Sequence, residues 1–196
     1  MIKTYIHNIY LIFILLVCIG CSKNPTTYLN SEFDCSSSEY KTNDLEEVID
    51  IKKNFIMKIP ETWKTNLYYS DYESEIFSAD TTKSLTNTFI LDVSMVNGNL
   101  KMDQDSESLV INKYVQEEGL ELISSGRGDF QGKKSFWFLA EGSRRDYKYT
   151  NYLVFVKNSE RKYLKMKTEM FGGTGIDNKI CNSIELINQI KILDNY

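Results

Sequence analysis

Histidine is nearly missing from this 196-residue chain: the only one, His7, lies within the first ten residues. Its absence further on excludes Ser-His-Asp and Cys-His nucleophile systems from the body of the chain. His-ligated zinc, copper and iron sites are excluded with them. Proline is scarce as well, with only Pro25 and Pro60. No apolar run is long enough to read as a membrane span, and no repeat recurs at solenoid periods. A basic excess is also lacking: net charge is −4, with both signs mixed along the chain. That is no footprint for nucleic acid, and no nucleic-acid partner is expected.

What is present starts at the N-terminus. Ile9–Gly20 is apolar throughout and ends abruptly at Cys21, before the polar "SKNP". As a helix it would reach about 18 Å, well short of a ~30 Å hydrocarbon core. A lone Lys3 ahead of it completes the pattern of a signal peptide over 1–20. Gly20 directly before Cys21 fits the bacterial lipobox, in which the thiol is acylated and becomes the first residue; Cys18 departs from it, where an aliphatic is usual. The expectation is a lipoprotein, lipidated (palmitate-type acylation) at Cys21 and held at a membrane of the cell envelope. Ser22 points to the outer rather than the inner membrane. From Cys21 onward 22 basic side chains face 27 acidic ones, so attachment falls to acyl chains rather than to a polybasic surface. With Cys18 removed and Cys21 acylated, Cys35 and Cys181 remain, and an oxidising compartment suggests a disulfide between them.

Residues 21–39 are polar and Ser-rich and read as a lipidated tether; 40–196 then form a single domain. Within it Phe55, Met57 and Ile59 alternate up to Pro60, and Phe89, Leu91, Val93 and Met95 alternate up to Asn97-Gly98. Residues 44–51 fit either a helix or a strand. Between about Gln104 and Glu118 the period becomes helical, with Asp103 or Asp105 as N-cap and Gly119 as the stop. Four strands follow, at about 120–125, 133–141, 147–157 and 161–170, with turns at "GRGDFQG", "GSRRD" and "NSE". A helix over about Asn178–Ile192, capped by Asp177, closes the chain. This order predicts an α+β domain: an antiparallel sheet of about six to eight strands covered by two or three helices.

"NFIMKIPETW", with Phe55, Met57, Ile59, Pro60 and Trp63, resembles the opening of PsbP-like domains, the MOG/PsbP-type α/β sandwich. "SADTTKSLTNTFILDVS" further resembles small bacterial envelope lipoproteins. The resemblance implies an accessory or binding module without a shared catalytic set.

Candidate sites are few. Asp92 interrupts an apolar strand and is the best single carboxylate, but no partner is legible. "DQDSE" over Asp103–Glu107 lacks the glycine and the bidentate glutamate of a calcium loop and reads as a helix N-terminus. "FGGTGID" matches no phosphate-loop pattern, and "RGD" at Arg127–Asp129 reads as a turn. A binding surface is sought in Asp80 and Lys83 of "ADTTKS" and in the aromatics Tyr68, Tyr72 and Trp137, part of which must be core. No catalytic residue, cofactor or metal is expected. The expected function is that of a non-enzymatic, membrane-anchored binding module for a protein or envelope component. Two alternatives stand beside it, a carboxylate-dependent hydrolase of envelope glycans and a small-molecule-binding lipoprotein.

Overall fold

Alternation along "FILDVSMVN" makes β5 (Phe89–Asn97), and its register partners build outward on both sides. The computed structural model describes residues 28–35, 40 and 44–193; the apolar leader and Cys21 lie outside them. Seven strands form one antiparallel sheet in the order β3-β4-β5-β9-β8-β7-β6. The others are β3 (Lys64–Tyr69), β4 (Glu73–Ala79), β6 (Glu121–Phe130), β7 (Lys133–Arg144), β8 (Tyr147–Lys157) and β9 (Lys162–Phe171). A small second sheet has the order β1-β2-β10, from Leu45–Ile49, Phe55–Pro60 and Lys191–Ile192.

One face of the large sheet, here the inner face, carries Leu91, Val93, Leu164, Met166, Tyr152 and Val154. Against it pack Phe55, Met57 and Ile59 of β2 and Ile180, Ile184 and Ile187 of helix α3 (Ile176–Asn188). Each large apolar side chain removed from water here contributes roughly 1.5–3 kcal/mol. Among the described residues, the outer face is covered at the β6-β7-β8 end. There helix α2 (Gln104–Glu118) packs Ile111, Tyr114 and Val115 on Phe136, Phe138 and Phe155. Asp103 caps α2 by accepting from the Ser106 amide at 2.9 Å, and Gly119 stops it in the left-handed conformation at φ 65°.

The architecture agrees with the predicted α+β sandwich; one open reading is decided and three local expectations change. Residues 45–49 are strand, because they pair with β2 along its whole length. Arg127–Asp129 is not a turn but the interior of β6; the reversal falls at Gln131-Gly132. Gly126 and Gly128 are there for close approach, since a Cβ on Gly126 would lie 2.7 Å from Trp137 Nε1 and one on Gly128 would overlap the Tyr28 ring. The last helix begins after Gly175 rather than Asp177 and ends at Asn188, so that Lys191 and Ile192 can join β2. The third change concerns the expected tether. Tyr28–Glu32 is a short helix, α1, whose Leu29 is fully buried in the core. A Cys35–Cys181 disulfide fastens the end of this segment to α3. Residues of the folded body therefore lie as far as twelve positions before the expected boundary at Tyr40, since core contacts and a covalent link outweigh polar composition.

Candidate functional site

The β3–β4 hairpin places a row of large side chains in water. Leu67, Tyr68, Tyr69 and Tyr72 are 39%, 52%, 67% and 76% exposed, on or beside the last strand of the large sheet. Its tip is tightly held. The Ser70 amide donates to Glu73 O at 2.9 Å, and Ser70 Oγ accepts from the amides of Tyr72 and Glu73, both at 3.2 Å. From β5, Asn97 donates its amide to Tyr72 O at 2.7 Å and its Nδ2 to Asp71 O at 2.8 Å. Lys52, in the β1–β2 turn, donates from Nζ to Ser70 O and from its amide to Ser74 Oγ. The aromatics are thus presented on a preorganised frame, which lowers the entropic cost of binding.

Of the residues singled out in the sequence, the structure brings Tyr68 and Tyr72 together here and leaves the others elsewhere. Asp80 and Lys83 follow the far end of β4, about 20 Å from the tip at ~3.4 Å per residue. Asp80 is buried, and its Oδ1 accepts from the Thr82 amide at 3.0 Å and the Thr82 hydroxyl at 2.6 Å. Burial raises its pKa, but these bonds and Lys83, 3.5 Å away, lower it to a net depressed value. This is a structural turn. Trp137 is 5% exposed, five strand spacings from β3, and packs its ring 4.8 Å from Phe33. It belongs to the core, because the segment after α1 covers the face of β7 on which it lies. Leu67 carries part of the exposed row and was not legible, since one leucine in a short strand reads as core.

The carboxylate Asp92 does have partners. It lies on the outer face, 3.4 Å from Lys167 Nζ, which is 2.5 Å from Glu169. Tyr149 donates to Glu169 at 2.9 Å, and burial pushes its phenol up to about 12. Glu75, on the neighbouring strand, has its pKa raised by burial and then by the charge of Asp92. Two acids thus share this face, the kind of pair that glycoside hydrolysis would require. They lie on an open sheet face, however, with Lys167 neutralising the more buried one. None of three cavities of about 260, 350 and 420 Å³ is lined by either acid.

The glycine-rich "FGGTG" leads into α3, where Lys179 Nζ donates to Thr86 O at 2.7 Å and Phe171 O at 3.2 Å. Burial lowers the pKa of this lysine, and its two carbonyl bonds tie the β4–β5 connection, β9 and α3 together. In the "RGD" segment Arg127 pairs with the buried Glu107 of α2 at 2.5 Å, while Asp129 accepts from the Gly132 amide at 2.6 Å. Among the described residues no group of three His, Cys, Asp or Glu side chains is placed to hold a metal. No described helix is long and apolar enough to cross a membrane.

Seen against solved structures, this arrangement of sheets and helices recurs in other proteins. Cyanobacterial PsbP from Synechocystis superposes with a TM-score of 0.52 and 11% identity, over 81% of this chain and 98% of its own. The Ran-binding protein Mog1p of Saccharomyces cerevisiae gives 0.55 and 10% identity, over 76% and 96%. The fold is the PsbP/Mog1-like α+β sandwich. At these identities the likeness is one of fold alone. No protein-family model matches the chain, and no curated protein matches it in sequence.

Proposed function

We propose that this protein is a non-enzymatic, membrane-anchored binding module of the bacterial cell envelope, outer membrane rather than inner. Residues 1–20 serve as its signal peptide, acyl chains on Cys21 hold it, and the β3–β4 hairpin docks a protein partner. The observation that carries the reading is the exposed row Leu67, Tyr68, Tyr69 and Tyr72 on a hydrogen-bonded frame. Exposed aromatic strips on rigid scaffolds supply large contact area at small ordering cost, and they mark interaction sites. The same fold in the Ran-binding Mog1p supports a role in binding. Between Cys21 and Tyr28 lie six residues, so the body stays within about 25 Å of the anchor at full extension. Anchoring at that range turns a modest affinity into occupancy by raising the local concentration of the partner.

The experiment is crosslinking in intact cells followed by purification, comparing the wild type with Cys21→Ala and with Tyr68→Ser/Tyr72→Ser. A defined protein captured by the wild type and lost from both variants supports the reading. Capture unchanged in the tyrosine double variant overturns the hairpin as the docking surface.

A further inference from the structure

We propose that the free edge of β3 pairs with β3 of a second copy of this chain, about a two-fold axis that passes through Leu67 normal to the sheet. The inference rests on the reading of the hairpin as docking surface and of Cys21 as anchor, and it names the partner.

The first argument is the state of the edge. Among the described residues β4 is the only strand paired with β3, so one side of the β3 backbone is open. Edge strands are commonly blunted by proline, a bulge, inward-pointing charge or a covering segment. The register of β3 with β4 runs unbroken from Lys64↔Ala79 to Tyr69↔Ser74, and the strand "KTNLYY" has no proline and a single charge, at its start.

The second argument is phase. Ser70 donates to Glu73 O, which makes 70↔73 the hydrogen-bonded pair that closes the hairpin. Pairs then alternate, so 69↔74, 67↔76 and 65↔78 do not bond to β4. The amides and carbonyls of Thr65, Leu67 and Tyr69 therefore point out of the sheet edge. An antiparallel copy centred on Leu67 satisfies all six of these groups in each chain, through Leu67 with Leu67 and Thr65 with Tyr69.

The third argument is complementarity. In this register Tyr69 lies opposite Thr65, and Tyr68 opposite Asn66, as aromatic–polar cross-strand pairs on matching faces. Lys64 meets Ser70 beside the acidic tip at Asp71, and no like charges face each other.

The fourth argument is the anchor. An axis normal to the sheet keeps both inner faces on one side, and α1 packs on the inner face of each copy. Both N-termini then leave toward the same membrane. A strand pair of this length is a small interface by itself. Confinement of two anchored copies to one surface raises their effective concentration.

The test is cysteine substitution in the full-length, membrane-bound protein. The native Cys35–Cys181 pair is already bonded and leaves the new thiol free to report. Paired Leu67 Cα atoms would lie about 5.5 Å apart, within disulfide range, whereas two Thr65 residues would be about 14 Å apart. Leu67→Cys is expected to give a dimer band on mild oxidation, at least about tenfold stronger than Thr65→Cys or Tyr69→Cys alone. Thr65→Cys and Tyr69→Cys expressed together are expected to crosslink to each other. Leu67→Lys sets two lysines opposite and should abolish the dimer mass seen by light scattering of the detergent-solubilised protein. Retention of the native disulfide and of cooperative melting in each variant controls for folding. A monomer mass for the wild type with no Leu67→Cys self-crosslink overturns the proposal. A self-crosslink at Tyr68→Cys in place of Leu67→Cys overturns this register. Capture of a different protein by Leu67→Cys overturns the second copy as occupant and leaves the hairpin standing as the docking surface.

Discussion

The two edges of the large sheet lie about 29 Å apart, at ~4.8 Å per strand spacing, and they differ in what surrounds them. Both end strands are unpaired on one side among the described residues, but β6 carries features that blunt an edge. A register shift falls between Leu122 and Ser124, Arg127 is paired with Glu107 of α2, and the Tyr28 ring of α1 covers Gly128. Tyr28 OH accepts from Ser135 Oγ at 3.0 Å, and Asn188 Nδ2 donates to Asn30 at 2.7 Å, so the covering segment is held from two sides. Among the described residues β3 has none of these devices, and its exposed side chains are one leucine and the tyrosines.

The comparison is broken most forcefully by removing the disulfide. It closes a span of 146 residues, and Cys35→Ser/Cys181→Ser should lower stability by about 2–5 kcal/mol in denaturant unfolding. It should also open residues 28–35 to limited proteolysis before the rest of the chain. Equal protease resistance of that segment in both forms would show that α1 holds its place without the link.

Gly128→Ala attacks the same edge more locally. The new methyl group displaces the Tyr28 ring, at a cost of about 1–3 kcal/mol, and the loss of the Ser135–Tyr28 bond should be visible as faster amide exchange in 28–35. At the other edge the expectation reverses. Tyr68→Ser/Tyr72→Ser should change stability by no more than about 0.5 kcal/mol per site while abolishing partner capture. A large loss of stability there would mean that the tyrosines are structural.

The smallest effect is electrostatic. Glu75, directly opposite Tyr68, has a folded-state pKa raised by burial and by Asp92. Its ionised form is disfavoured in the folded state. The penalty is therefore absent below the unfolded-state pKa and fully present above the folded one. Glu75→Gln should stabilise the protein slightly at pH 7 and leave it unchanged near pH 3, in paired urea titrations. Destabilisation at pH 7 would instead give Glu75 a favourable partner.

Much of this architecture was legible in residue order. Alternation at Phe89–Met95, the period change at Gln104, the Asp103 cap and the Gly119 stop are local signals, and each acts through its own backbone. The disulfide was legible by elimination among four cysteines. The binding surface was legible only in part. Tyr68 and Trp137 look alike in sequence, each an aromatic in a strand with an aromatic neighbour. Which of them is exposed depends on what covers that face, and for Trp137 the cover is Phe33, more than a hundred residues earlier. For the same reason the "SEFDCSS" stretch reads as a tether, since its polarity is local and its anchoring is not.

The sequence by itself determined that histidine chemistry is excluded after His7, the strand and helix phases, and the pairing of Cys35 with Cys181. Each follows from residue type and spacing along the chain. Only the tertiary structure decided that α1 packs against β6, that Asp92 is neutralised by Lys167, and that β3 is an edge strand without such cover among the described residues. Those outcomes depend on which elements meet in space, and no local signal carries that information.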